Sequence, residues 1–377
     1  MQEGVRYDVN FSLPLFFAPL VPWHRVAPQG GKIAGRATEW MDFGDNMAEI
    51  SILDLARIGE DADAGAALRR ARDLAAHAEQ WGYSRFWVAE HHNMRGIASS
   101  ATAVVIGYIA AGTRRIRIGA GGVMLPNHSP LVIAEQFGTL ASLYPGRIDL
   151  GLGRAPGTDQ ATLRALRRHP AAADRFPEDV LELQALLGPA RTGQSLFAVP
   201  GVGTEVPLWI LGSSTFGARL AAELGLPFGF ASHFAPEYLL MALDIYRSNF
   251  RPSQQLARPH AMVGVNIIAA ATDEQARRLA TTQQMSSTNQ LRGTRGLSQP
   301  PIDDIDTYWT ADEARRVRQK LARSIVGTRD TVAEGIAQLL NETLADELMI
   351  VSDVYEFEHR LRSYELISQA HAMVAGV

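Results

Sequence analysis

The sequence contains no cysteine in its 377 residues. That excludes a disulfide framework, a thiolate metal site and a cysteine nucleophile. It also lacks an apolar run of the roughly 20 residues that a helix needs to cross a bilayer. The stretch 11–21 is apolar but carries Pro14 and Pro19, and no basic leader or small-residue cleavage site marks a signal peptide. No charge dominates: 36 basic residues stand against 40 acidic ones, a net charge of −4, and the basic residues are scattered rather than gathered in a stripe. Neither a nucleic acid nor a membrane surface is expected as a partner, and the expected compartment is the cytoplasm. No Gly-x-Gly-x-x-Gly follows a first strand, so a nicotinamide Rossmann site is not supported.

A strand–helix rhythm is present instead. Residues 1–46 mix proline, glycine and aromatics without a period, and are expected to be a poorly ordered, dispensable extension. The rhythm starts at Met47. Short apolar strands are expected at 50–53, 86–89, 116–119, 148–152, 208–211, 228–231, 262–269 and 348–351. Helices are expected after them at 64–81, 100–111, 130–144, 177–187, 217–224, 236–250, 273–281 and 356–373. Short, continuous apolar strands suit a parallel sheet buried on both faces. Eight alternating units favour a single closed (β/α)₈ TIM barrel over 47–377 rather than an open doubly wound sheet. The rhythm breaks once, between strands seven and eight, where a long polar insertion covers 282–324, followed by a helix at 329–342. It reads equally as a lid over an active site or as a surface loop without order.

Active sites of such barrels lie at the C-terminal strand ends. Past strand two comes Ala89-Glu90-His91-His92-Asn93. Adjacent residues on an extended segment point to opposite sides, so His91 and His92 cannot easily share one ion, and no metal is expected. Glu90, His91 and His92 are taken as the catalytic group, the histidines as acid/base or hydrogen-bond donors. Past strand three comes Gly119-Ala120-Gly121-Gly122-Val123-Met124-Leu125-Pro126-Asn127-His128, where bare backbone lets a flat ligand approach, or simply makes a tight turn. Past strand four, Arg154 stands near Gly153 and Gly157 and suits a phosphate. Past strand five, Leu211-Gly212-Ser213-Ser214 opens into a helix, as an anion site or as an ordinary N-cap. Asn127, His128, Ser232 and His233 are candidates for a substrate pocket.

These residues resemble the bacterial luciferase-like, flavin-dependent monooxygenases. The match is carried by Phe86-Trp87-Val88-Ala89-Glu90-His91-His92, by 119–128, by Tyr144-Pro145-Gly146-Arg147-Ile148-Asp149-Leu150-Gly151-Leu152-Gly153-Arg154, and by Val326-Gly327-Thr328. The resemblance implies reduced FMN at the barrel mouth, reacting with O₂ to a flavin C4a-peroxide that oxygenates a small organic substrate. It also implies a separate reductase that supplies FMNH₂, and is compatible with a homodimer. It places His91 beside the flavin, Arg154 on the phosphate with Ser213 and Ser214, and a non-prolyl cis bond between Gly121 and Gly122. Two departures stand out: Gly217 replaces a frequent phosphate-loop hydroxyl, and Gly153 replaces the reactive cysteine of true luciferases, so light emission is not implied. A deazaflavin-dependent dehydrogenase on the same barrel and a non-catalytic flavin-binding protein are the alternatives.

Overall fold

The computed structural model describes residues 48–155 and 159–376. The expectation for residues 1–46 lies outside the described residues.

Nine strands are found among the described residues: β1 Glu49–Asp54, β2 Arg85–Val88, β3 Arg117–Met124, β4 Ile148–Gly153, β5 Leu208–Gly212, β6 Phe228–Phe230, β7 Ala261–Ala269, β8 Ile325–Gly327 and β9 Glu347–Val351. Eight of them close a wholly parallel barrel in the order β1-β2-β3-β4-β5-β6-β7-β9, with β9 returning to β1. β8 stays outside the ring and extends the far end of β7 through Ile267–Ala269. The helices are α1 Ala64–Gln80, α2 Thr102–Ala110, α3 Pro130–Leu143, α4 Gln160–Ala165, α5 Phe176–Leu187, α6 Thr215–Leu224, α7 Leu239–Asn249, α8 Asp273–Arg292, α9 Ala311–Lys320, α10 Arg329–Thr343 and α11 Phe357–Val374. None of the described helices is long and apolar enough to cross a membrane.

The main core lies between strands and helices, where Ile52, Phe86, Ile118, Leu150, Ile210 and Ile350 meet the apolar faces of the surrounding helices. The barrel interior is layered. Leu53, Trp87, Trp209, Met262 and Met349 fill its middle, with the Trp87 and Trp209 rings edge to face at 5.2 Å. Below them sits a buried charge network. Arg85 binds Glu347 and Asp149, each at 3.0 Å, and lies over the Trp209 ring at 4.9 Å. Arg117 also binds Asp149, at 2.5 Å, Trp87 Nε1 donates to Asp149 at 3.2 Å, and Ser51 donates to Glu347. Burial would raise the pKa of the Glu347 carboxyl. The Arg85 charge and hydrogen bonds from His260 and Ser51 outweigh that and hold it below the usual range.

Two expectations need correction. The glycine-rich stretch after the third strand is not a loop, since β3 runs through it to Met124 with a register irregularity between Gly121 and Val123. The insertion is not a loop either. Its first eleven residues continue α8 to Arg292, which ends on Gly293 in the left-handed conformation. α8 buries Thr281, Thr282, Gln283, Ser287 and Thr288, so its inner face is polar and hydropathy does not reveal the period. A capping box from Thr310 and Glu313 starts α9, and Arg292 binds Glu313 at 2.7 Å. Trp309, Ala314 and Val317 form a small core of the insertion's own with Leu291, Ile305 and Leu321.

Candidate active site

Past β2, Glu90 is buried and becomes the hub of one hydrogen-bonded group. Its carboxylate lies 2.8 Å from His92 Nε2 and 2.9 Å from His128 Nε2. It accepts the Met124 N–H at 3.0 Å and the Asn127 side-chain amide at 3.3 Å. Burial works to raise its pKa, but hydrogen bonds from His128 and His92, the His128 charge and the Met124 N–H bring it down to about 2. The hydrogen bond to Glu90 in turn raises the His92 pKa against partial burial.

His128 stands 38 positions from Glu90, and no local pattern marks it as a member of this group. Ligand-capable atoms of Glu90, His92 and His128 lie within 4.8 Å of one another. Both histidines already sit at hydrogen-bonding distance from the carboxylate, which two further donors also occupy. An ion would have to replace those bonds, so the trio reads as a positioning network.

His91 stands apart from that network. Its Nδ1 is buried without a hydrogen-bond partner. Burial lowers its pKa to about 4, helped by the charges of Arg57 and Arg295. His233, past β6, also has a buried, unpartnered Nδ1, and burial with the charges of Lys320 and His91 brings it to about 4. Both imidazoles are neutral at neutral pH and can accept a proton or a hydrogen bond. Ser232 is turned inward, donating to the Gly264 carbonyl at 2.6 Å. The Asn127 carbonyl accepts from Arg168 at 3.1 Å.

The two histidines bear on stability. With folded pKa values near 4, they bind fewer protons in the folded state than in the unfolded chain, where histidine titrates near 6.5. Their contribution is present above about pH 6.5 and is lost as pH falls toward 4. Thermal melts across that window should show stability falling with pH, with a shallower fall in His233→Gln. An identical slope in the variant would remove His233 from this account.

The other side of the mouth carries the expected Arg154, Ser213 and Ser214. Past β4, the Arg154 guanidinium lies 3.9 Å from the centroid of the Phe216 ring, in the first turn of α6. Past β5, Ser214 is the extended N-cap of α6 and makes no side-chain cap bond. Neither Ser213, Ser214 nor Thr215 makes a side-chain hydrogen bond among the described residues. The first N–H groups of a ten-residue helix and three hydroxyls thus stand at the end of β5, with the Arg154 guanidinium stacked on the same helix's first turn, groups of the kind a phosphate can use. Thr215 was not among the candidates, and it offers a hydroxyl two residues before Gly217. A Cβ at Gly217 would lie 3.3 Å from Phe228, so the space there is tight. At Gly153, a Cβ would lie 2.8 Å from Met124 Sδ.

The bond between Gly121 and Gly122 is cis. A Cβ at Gly122 would fall 2.6 Å from the Gly151 carbonyl and 2.7 Å from Leu211 Cδ1. Packing of the barrel neck therefore already demands glycine there, before any ligand is considered. Gly212 is less constrained, its nearest neighbour standing 3.6 Å from a built Cβ.

A closed parallel barrel with polar groups and a neutral, unpartnered imidazole gathered at the C-terminal strand ends has the layout of a barrel enzyme. The luciferase-like monooxygenase family model matches residues 47–347, and the chain belongs to that family of flavin-binding oxidoreductases. A luciferase-like monooxygenase of Escherichia coli K12 is 52% identical over 333 residues, covering 88% of this chain and 99% of that protein. The N-acetyl-S-alkylcysteine monooxygenase of Bacillus subtilis is 34% identical over 332 residues, covering 86% of this chain and 98% of its own. Among solved structures, apo-MsnO8 superposes with a TM-score of 0.77 at 34% identity, covering 86% of this chain and 99% of that one.

Proposed function

We propose that the protein is an FMNH₂-dependent monooxygenase that uses O₂ to oxygenate a small organic substrate, with a separate flavin reductase supplying the reduced cofactor. The carrying observation is the convergence of Arg154, Ser213, Ser214 and Thr215 on the uncapped start of α6. A monophosphate with its charge concentrated on one terminal group is what such a cradle holds best. The ring would then lie toward Gly121, Gly122, Leu211 and Gly212.

Bound in its reduced form, the flavin supplies the electrons that activate O₂. This chain's residues do the rest. His91, neutral and unpartnered, is the group that takes a hydrogen bond or proton at the mouth. Glu90 stays ionised and positions the backbone beside it through His92, His128 and Met124. His233 and His128 line the substrate side, while Asn127 and Ser232 hold the wall.

Replacing Arg154 with Ala should weaken FMN binding by about 1.5–3 kcal/mol, the loss of a charge-assisted hydrogen bond. Titration followed by flavin fluorescence reads this directly. An unchanged dissociation constant would take the phosphate away from Arg154.

A further inference from the structure

A pocket of about 190 Å³ lies where the insertion meets α8 and β8. Its apolar wall includes Trp309, Val317, Leu321 and Val326. Trp309 is held in place by its surroundings. Its Nε1 donates to Asp306 Oδ1 at 2.8 Å, and the Arg318 guanidinium stands 5.3 Å from its ring centroid. Arg318 also reaches the pocket wall, but it pairs with Asp306 at 3.2 Å. The wall thus has no unpaired charge among the described residues.

One end of the pocket is polar. Gln283 and Ser324 both line it, and Asn266 of β7 draws them together. Gln283 Nε2 donates to Asn266 Oδ1 at 2.6 Å, and Asn266 Nδ2 donates to Ser324 Oγ at 3.3 Å. Asn266 Nδ2 also donates to the His233 carbonyl at 2.6 Å. A carbonyl can only accept, which settles the orientation of the Asn266 amide and, through it, of the Gln283 amide. These bonds use the donor side of Gln283 and one lone pair of Ser324. Gln283 Oε1 and the Ser324 O–H make no hydrogen bond among the described residues, so an acceptor and a donor stand near one another.

We propose that this pocket binds a small neutral molecule with an apolar body and one hydroxyl group. An apolar cavity of about 150 Å³ takes benzene, so this one takes about seven to nine non-hydrogen atoms. The hydroxyl donates to Gln283 Oε1 and accepts from Ser324 Oγ, while the apolar body displaces water from Trp309, Val317 and Leu321. A carboxylate fits worse, because Arg318 is already paired and Gln283 Oε1 would face it acceptor to acceptor. Arg154, Ser213 and Ser214 do not line the pocket, so the site is separate from the proposed flavin cradle and does not rest on the oxygenase reading.

The test is calorimetric titration of the full-length protein with phenol and with toluene, which match in size and differ by the hydroxyl, first without FMN and then with it. Phenol should saturate a single site and bind about three- to tenfold more tightly than toluene, the range that a satisfied hydrogen bond gives. Ser324→Ala and Gln283→Met should each reduce that preference, and the double variant should abolish it. Leu321→Trp, which fills the pocket, should lose both probes while FMN affinity stays that of the parent. Where that variant fails to fold, the Ser324→Ala titration decides alone. Absence of phenol binding, equal binding of the two probes, or a preference that survives in the double variant would overturn the proposal. So would displacement of phenol by FMN, which would put the probe in the cofactor site.

Discussion

Replacing Arg85 with Met is expected to destabilise the fold by about 3–5 kcal/mol, the range for breaking one partner out of a buried ion network. Arg85 is the cation shared by Glu347 and Asp149, whose side chains are both wholly buried. Without it, Glu347 keeps only His260 at 3.4 Å and the Ser51 hydroxyl. Asp149 keeps Arg117 and the Trp87 N–H. Glu347 therefore bears most of the loss, and Arg85→Met with Glu347→Gln should recover part of it. Urea unfolding measures both. A loss under about 1 kcal/mol for the single variant would show that the network is solvated or relaxes freely. The network lies at the N-terminal end of the barrel, where a role in stability rather than chemistry is expected.

His91→Ala should lower substrate oxygenation by about 10²–10⁴-fold, the range for a group that moves a proton in the rate-limiting barrier. FMN affinity should change far less, because the proposed phosphate cradle is on other strands. His92→Ala should cost less than His91→Ala, since His92 contacts Glu90 and acts through it. Steady-state turnover with chemically reduced FMN, compared with flavin titrations of the same variants, separates the two effects. Turnover in His91→Ala equal to the parent would remove His91 from the chemistry, and a larger loss in His92→Ala would exchange the two roles.

The barrel was legible because its signal is periodic. Residues 348–351 of β9 are buried on both faces and read as an unbroken apolar run, and α1 shows a clean apolar stripe through Ala67, Ala71, Leu74 and Ala78. α8 beyond Thr281 was not legible, because its buried face is mostly threonine, glutamine and serine, satisfied by hydrogen bonds such as that from Gln283 to Asn266 on β7 at 2.6 Å. β8 is three residues long and hangs on the end of β7, too short to register in any pattern. Strand ends pointed to Glu90, His91, Arg154 and Ser214 from position alone. The joining of His128 to Glu90 and the stacking of Arg154 on Phe216 are contacts between distant segments, and nothing local encodes them.

The central claim is oxygenation driven by reduced FMN. The protein would be supplied with reduced FMN, isotope-labelled dioxygen and a panel of small organic substrates, including organic acids, and the products weighed by mass spectrometry. The account predicts one labelled oxygen atom in a product whose formation requires both reduced FMN and active protein. Substrate oxidation without label, dependence on a deazaflavin instead of FMN, or flavin binding with no product across the panel would contradict it.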